Sequence, residues 1–231
     1  MQFPLRKILE DQRDLLLFRP FKPDIKTHRE AYLAWGVFTT WLVGVGRYWD
    51  HPSAALWQYL GLGSVAYVFI LALILWAVVA PLRPSNWSYT GVLIFVMLTS
   101  LPALLYAIPV EMFLALPQAQ LANVIFLAIV ATWRVALLMV FLRRGAKLSP
   151  FATAVAGLLP IAMIVTALVL LNLEKAVFNI MGGNRLQTQN DSAYAILLLI
   201  SALAVVASPI LLALYGGLVY RAQRYGDASR S

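Results

Sequence analysis

Long apolar runs broken by short polar stretches dominate this chain. The runs predict six membrane-spanning helices: Ala31–Gly46, Leu56–Ala80, Ser88–Ile108, Ala119–Leu142, Pro150–Leu173 and Ala193–Val219. About 20 apolar residues at 1.5 Å per residue are needed to cross a hydrocarbon core of roughly 30 Å. Five of the runs meet that length. Ala31–Gly46 is short, although Tyr48 and Trp49 stand just beyond it as an interfacial aromatic pair. It reads either as a full span or as a half-span.

A different pattern precedes the first run. In residues 4–18 a helical period places Leu5, Ile8, Leu9, Leu15 and Leu16 on one side, with Arg6, Lys7, Glu10, Asp11, Arg13 and Asp14 on the other. This predicts an amphipathic helix, closed by Pro20 and Pro23. It is expected either to pack on the bundle or a partner, or to lie in the headgroup plane. The predicted organisation is therefore all-α: a cytoplasmic amphipathic helix and linker over residues 1–30, a transmembrane helical bundle over 31–220, and a cytoplasmic tail over 221–231.

Charge then supplies the orientation. If all six runs cross, fourteen of the eighteen Lys and Arg residues share one side with both termini. Only Arg47, Lys175 and Arg185 lie on the other side, and Arg134 lies within a span. Basic residues concentrate on the cytoplasmic side of membrane proteins, so both termini are expected inside. Composition agrees, with 61% hydrophobic and 12% charged residues. Soluble domains carry about 25% charged residues. The densely charged first thirty residues contain no signal-peptide core, so targeting falls to the first span.

Chemistry is sparse by comparison. The chain has no cysteine, which excludes disulfides, thiolate catalysis and Cys-ligated metals. His28 and His51 fall on opposite faces, so they share no metal. No phosphate-binding loop, nucleophile elbow or zinc signature is present. Asp50 and His51 beside Arg47 read as a polar cap on a span end. The expectation is a protein without catalytic residues, metal or cofactor. The polar stretch Met181–Asp191 reads as a connector.

Arg134 is the residue that asks for an explanation, because a charge inside a span costs at least ~2.5 kcal/mol and marks a functional site by default. Glu111 is the acid to consider. It belongs at the outer edge, whereas Arg134 lies fifteen residues beyond Ala119, roughly 22 Å along the helix. At the depth of Arg134 the other spans offer Thr39 and Thr40, Thr99 and Ser100, Pro160, and Ser208 and Pro209. None of these is anionic. Two meanings follow: a polar pocket whose anion comes from a ligand, such as a lipid phosphate or a small carboxylate, or an arginine satisfied internally by hydroxyls, carbonyls and water. Arg143, Arg144 and Lys147 form a basic loop on the inner face, read as a topology determinant that attracts anionic headgroups. Pro102, Pro109 and Pro117 bracket Glu111 and predict a kinked third span.

The stretch Ala131–Ala167 (ATWRVALLMVFLRRGAKLSPFATAVAGLLPIAMIVTA) pairs an aromatic-bearing helix with a short basic loop, a Ser and a proline-containing span. Leu101–Val110 (LPALLYAIPV) adds a proline-bearing helix. Together they resemble the Yip1 (YIPF) family of small multispan proteins over about 70 residues. The resemblance implies a non-enzymatic membrane scaffold. That family usually has five spans and termini on opposite sides, unlike the six predicted here, and its acidic-aromatic motif near the first helix is not evident. With no long N-terminal domain, a bacterial inner-membrane setting is expected.

Two functions follow. One is a scaffold or partner subunit docking through its amphipathic helix. The other is a carrier or binder of an anionic lipid or small anionic solute at Arg134. The expected partners are the lipid bilayer with its anionic lipids, and a membrane-protein partner or a second copy of the chain. Nucleic acid is not expected.

Overall fold

A computed structural model describes residues 4–49, 54–173 and 191–228. Every regular element among them is helical: α1 (Leu5–Leu16), α2 (Ile25–Tyr48), α3 (Leu56–Tyr59), α4 (Leu62–Val79), α5 (Tyr89–Leu98), α6 (Leu116–Arg144), α7 (Pro150–Leu170) and α8 (Asp191–Ala228), with three short 3-10 helices. Five segments are long and apolar enough to cross a membrane: Leu62–Leu82, Tyr89–Met112, Pro117–Arg144, Pro150–Leu170 and Leu197–Arg224. The chain is a polytopic helical membrane protein. The connector Met181–Asp191 lies outside the described residues except at Asp191, as do Asp50, His51, Lys175 and Arg185.

Side-chain caps start three helices. Asp24 accepts from the Thr27 N–H at 3.2 Å, Ser88 from the Gly91 N–H at 3.1 Å and Ser149 from the Ala152 N–H at 3.2 Å. Each side chain satisfies one of the N–H groups that a helix start leaves without a partner. Pro150 then occupies the first turn of α7, where its missing N–H costs nothing.

The centre of the bundle is α5, in which every residue from Val92 to Leu98 is buried. A helix apolar on all sides is a core helix, and Phe95 stacks on Phe141 of α6 at 4.0 Å between ring centroids. Beside it runs α2. A Cβ built on Gly91 would lie 3.9 Å from Ile25, one on Gly36 2.8 Å from Met97, and one on Gly46 3.0 Å from Ala107. The Trp49 indole closes the series by donating to the Ala107 carbonyl at 3.0 Å. Thus α2 accompanies the third predicted span along its length. Its first turn begins at Ile25, capped by Asp24, and the helix kinks at His28 (φ −123°, ψ 29°) before the expected Ala31.

Two predicted spans are not continuous helices. Leu56–Ala80 divides into α3 and α4 at Gly61, whose φ of +66° is open to glycine at little cost. A Cβ on Gly61 would lie 2.8 Å from the Trp41 carbonyl, and one on Gly44 would lie 2.7 Å from the Gly61 carbonyl. The backbones of α2 and the α3–α4 corner therefore touch. Ser88–Ile108 divides as well: α5 ends at Leu98, and Leu101–Ala107 continues as a 3-10 helix. Pro102 has no N–H to donate to the carbonyl of Leu98, four residues earlier. Conversely, α6 and α8 run past their predicted limits, to 29 and 38 residues.

The amphipathic helix packs on the chain's own bundle. In α1, Ile8 and Leu15 are buried, and so are the polar Asp11 and Gln12. Gln12 donates its amide N–H to the Leu98 carbonyl at 2.9 Å, the group that Pro102 cannot serve, and its amide oxygen accepts from the Trp35 indole at 2.8 Å. The Tyr32 hydroxyl donates to Asp11, which also receives Lys7 at 2.7 Å. That hydrogen bond to Asp11 holds the Lys7 ammonium above the usual lysine range. At the far end of α1, the Trp133 indole donates to the Leu16 carbonyl at 3.0 Å and Arg144 to the Phe18 carbonyl at 2.7 Å. α1 thus ties α2, the break after α5, and α6 together.

Candidate functional site

The surroundings of Arg134 are fixed by a small apolar cluster in which Val43 of α2, Ala103 of the 3-10 helix and Val130 of α6 are buried together, with Leu105 and Tyr106 against them. α2 and the 3-10 helix run in one direction here and α6 in the other. One turn from the cluster toward α1 therefore lie Thr39 and Thr40, Thr99 and Ser100, and Arg134.

Sharing a level does not bring the side chains together. The Thr39 hydroxyl donates to the Gly36 carbonyl at 3.1 Å and Thr99 to the Val96 carbonyl at 2.9 Å, and neither is hydrogen-bonded to Arg134. Thr40 and Ser100 are buried with unpartnered hydroxyls, and neither is bonded to Arg134. Ser208 lies 2.8 Å from Thr166, in the tightly packed pair of α7 and α8. Pro160 is buried in α7. A ring of hydroxyls around the guanidinium is not what the fold builds.

Instead, Arg134 lies within electrostatic reach of Tyr67 in α4, Tyr106 and Arg47. Helix side chains lean toward the N-terminus of their helix, which for α6 is the Trp49 end of the bundle. There the Arg47 guanidinium sits over the Tyr106 ring at 5.1 Å and the Tyr48 ring at 5.9 Å. Arg134 is half-buried, and among the described residues it has no hydrogen bond or ion pair to the protein. Its charged neighbour is a second cation. Glu111 faces elsewhere, accepting from Asn123 at 2.8 Å. Asn123 lies eleven residues before Arg134 on α6, roughly 16 Å along the axis. This agrees with the expectation that Glu111 does not reach Arg134.

Arg134 thus has a second guanidinium and two phenols in its neighbourhood, and no described carboxylate is paired to it. Arginine presents a planar fork of donors suited to carboxylate and phosphate, and a tyrosine hydroxyl adds one donor each. Sequence reasoning missed Tyr67, Tyr106 and Arg47 because it looked for partners at the level of the Arg134 backbone. The direction of its side chain, legible from the helix direction, points one turn further toward Tyr106.

The basic loop divides its residues between two tasks. Arg143 donates to the Leu148 carbonyl at 2.6 Å and Arg144 reaches Phe18, so both hold backbone in place. Lys147 is exposed at the rim of a cleft. No family model, curated protein or solved structure matches the chain.

Proposed function

We propose that this protein is a non-catalytic integral membrane protein that binds, and in the fuller form of the reading carries, an anionic amphiphile or small anionic solute at Arg134. The observation behind it is the company Arg134 keeps: a cation and two phenols, with no described acid within pairing distance. A charge inside a span is retained at a cost, and a carboxylate or phosphate from a ligand supplies the missing counter-charge. The lean of Arg134 toward Arg47 and Trp49 gives the ligand its approach from that end.

The proposed topology is six crossings with both termini in the cytoplasm of a bacterial inner membrane. The companionship of α2 with the third span, from Ile25 beside Gly91 to Trp49 beside Ala107, supports a full crossing for α2. The charge distribution supports the orientation. A scaffold that docks partners through the apolar side of α1 is less well supported, since Ile8 and Leu15 are buried in the chain's own bundle.

The test is to purify wild type, Arg134→Met and Arg134→Lys from membranes and quantify co-purifying lipids and fatty acids by mass spectrometry alongside folded yield. The wild type is expected to retain an anionic species that Arg134→Met loses and Arg134→Lys partly keeps. Equal retention in all three, with a drop only in the folded yield of Arg134→Met, contradicts the reading.

A further inference from the structure

The second positive feature is at the opposite end of the bundle. The loop after α4 and the loop between α6 and α7 are joined there by the Ser85 N–H, which donates to the Ala146 carbonyl at 3.3 Å. Together with α8 they enclose a cleft of about 250 Å³, to which Arg83, Ser85, Lys147, Ser149, Leu218 and Ala222 contribute. Arg83, Lys147, Ser85 and Ser149 supply the polar part of its lining, and Leu82, Leu148, Ala152 and Leu218 the apolar part. Both cations sit at left-handed backbone positions, with φ of 51° at Arg83 and 55° at Lys147. That conformation is uncommon for residues other than glycine and asparagine. The loop is pinned in it, since Arg143 clamps the Leu148 carbonyl and Ala146 accepts from Ser85.

The chemistry of this rim differs from that of a generic basic loop. Arg143 and Arg144 spend their donors on backbone carbonyls, whereas Lys147 has no hydrogen bond or ion pair among the described residues. Two cations and two hydroxyls on one cleft match a phosphate. The cleft lies at the end where Arg144 meets Phe18 and where basic residues concentrate, at the level where an α-helical span gives way to headgroups.

We infer that this cleft binds a phosphate group through Arg83 and Lys147, carried by an anionic phospholipid or free in solution. The inference stands independently of the Arg134 site. The test uses the full-length protein, delipidated in a zwitterionic detergent and titrated in separate arms with phosphatidylglycerol and with inorganic phosphate. Apparent affinity is read from the ligand-dependent rise in melting temperature. Relative to wild type, Arg83→Gln/Lys147→Gln is expected to bind about tenfold or more weakly, since each basic residue contributes a share of the attraction to anionic headgroups. Lys147→Gln alone, at an exposed position, is expected to show a smaller loss of about threefold. Arg83→Lys/Lys147→Arg keeps both charges and is expected to bind like wild type.

Loss confined to the lipid arm identifies a headgroup, and loss in both arms identifies a site open to free phosphate. Either supports the inference. As a control, Lys22→Gln/Lys26→Gln removes two exposed charges from the same end of the bundle. If it weakens binding as much as the cleft variants do, or if Arg83→Lys/Lys147→Arg loses as much as the glutamine pair, the inference is overturned.

Discussion

Replacing Gln12 with leucine is the sharpest perturbation of the architecture, because it keeps the side-chain volume and removes only the polar bridge. Gln12 is 2% exposed and joins the Leu98 carbonyl at 2.9 Å to the Trp35 indole at 2.8 Å. Leu98 is itself fully buried. In Gln12→Leu a buried acceptor and a part-buried donor lose their partner, at about 1–3 kcal/mol for a buried group left unmade and less for an indole that water can reach. The total is about 3 kcal/mol, which for a chain of this size lowers the melting temperature by roughly 6–12 °C. Thermal unfolding followed by fluorescence-detected gel filtration measures it.

A second substitution isolates the cause. Pro102→Ala restores an N–H four residues beyond Leu98, and that N–H is able to take over as donor to the freed carbonyl. In the Pro102→Ala background, Gln12→Leu is then expected to cost about half as much, a coupling of roughly 1.5 kcal/mol between residues ninety positions apart. Equal penalties in the two backgrounds would falsify the argument that α1 completes the broken helix.

Other expectations follow from single contacts. Deleting residues 1–18 should lower the folded yield of the bundle itself, checked by gel filtration; unchanged yield and melting temperature would place α1 outside the fold. Tyr32→Phe leaves the buried Asp11 with Lys7 as its remaining side-chain partner and should destabilise by about 1–3 kcal/mol in a thermal melt. Gly36→Ala puts a methyl 2.8 Å from the Met97 Cβ and should cost about 1–3 kcal/mol, relieved by adding Met97→Gly but not by Met97→Ala, which keeps that Cβ. Gly216→Ala, with nothing within 4 Å of the new methyl, should be neutral or stabilise α8 by up to about 1 kcal/mol. The contrast between these two glycines in one melting series checks the packing of α2 on α5.

Much of the fold was legible because the bilayer imposes a simple code: an apolar run of sufficient length is a helix. Residues 4–18 carried an equally clear helical period; of its apolar side Ile8 and Leu15 are buried, whereas Leu5 and Leu9 stay exposed. What that period omits is the role of the polar Asp11 and Gln12, which are buried because Tyr32 and Trp35, two turns into another helix, meet them. Such pairings depend on tertiary arrangement and leave no local trace. The break after Leu98 was half visible: Pro102 predicted a kink, while the donor that makes the break tolerable came from ninety residues upstream.

The Gly61 corner was hidden inside an unbroken apolar run, since hydropathy is blind to a left-handed glycine. At Arg134 the depth reckoning looked for partners in Thr39, Thr40, Thr99 and Ser100, and none of them is hydrogen-bonded to the guanidinium. The Thr39 and Thr99 hydroxyls donate to carbonyls of their own helices instead. The lean of a helical side chain matters as much as its level.

The central claim is that an anion from outside the protein completes the site at Arg134. The most direct measurement is a density map of the wild-type protein in lipid nanodiscs, inspected around that guanidinium. The account predicts density for a carboxylate or phosphate at about 3 Å from Arg134, the distance of a charge-assisted hydrogen bond, with Tyr106 or Tyr67 as a second donor. A guanidinium bonded only to protein carbonyls, hydroxyls and water contradicts it.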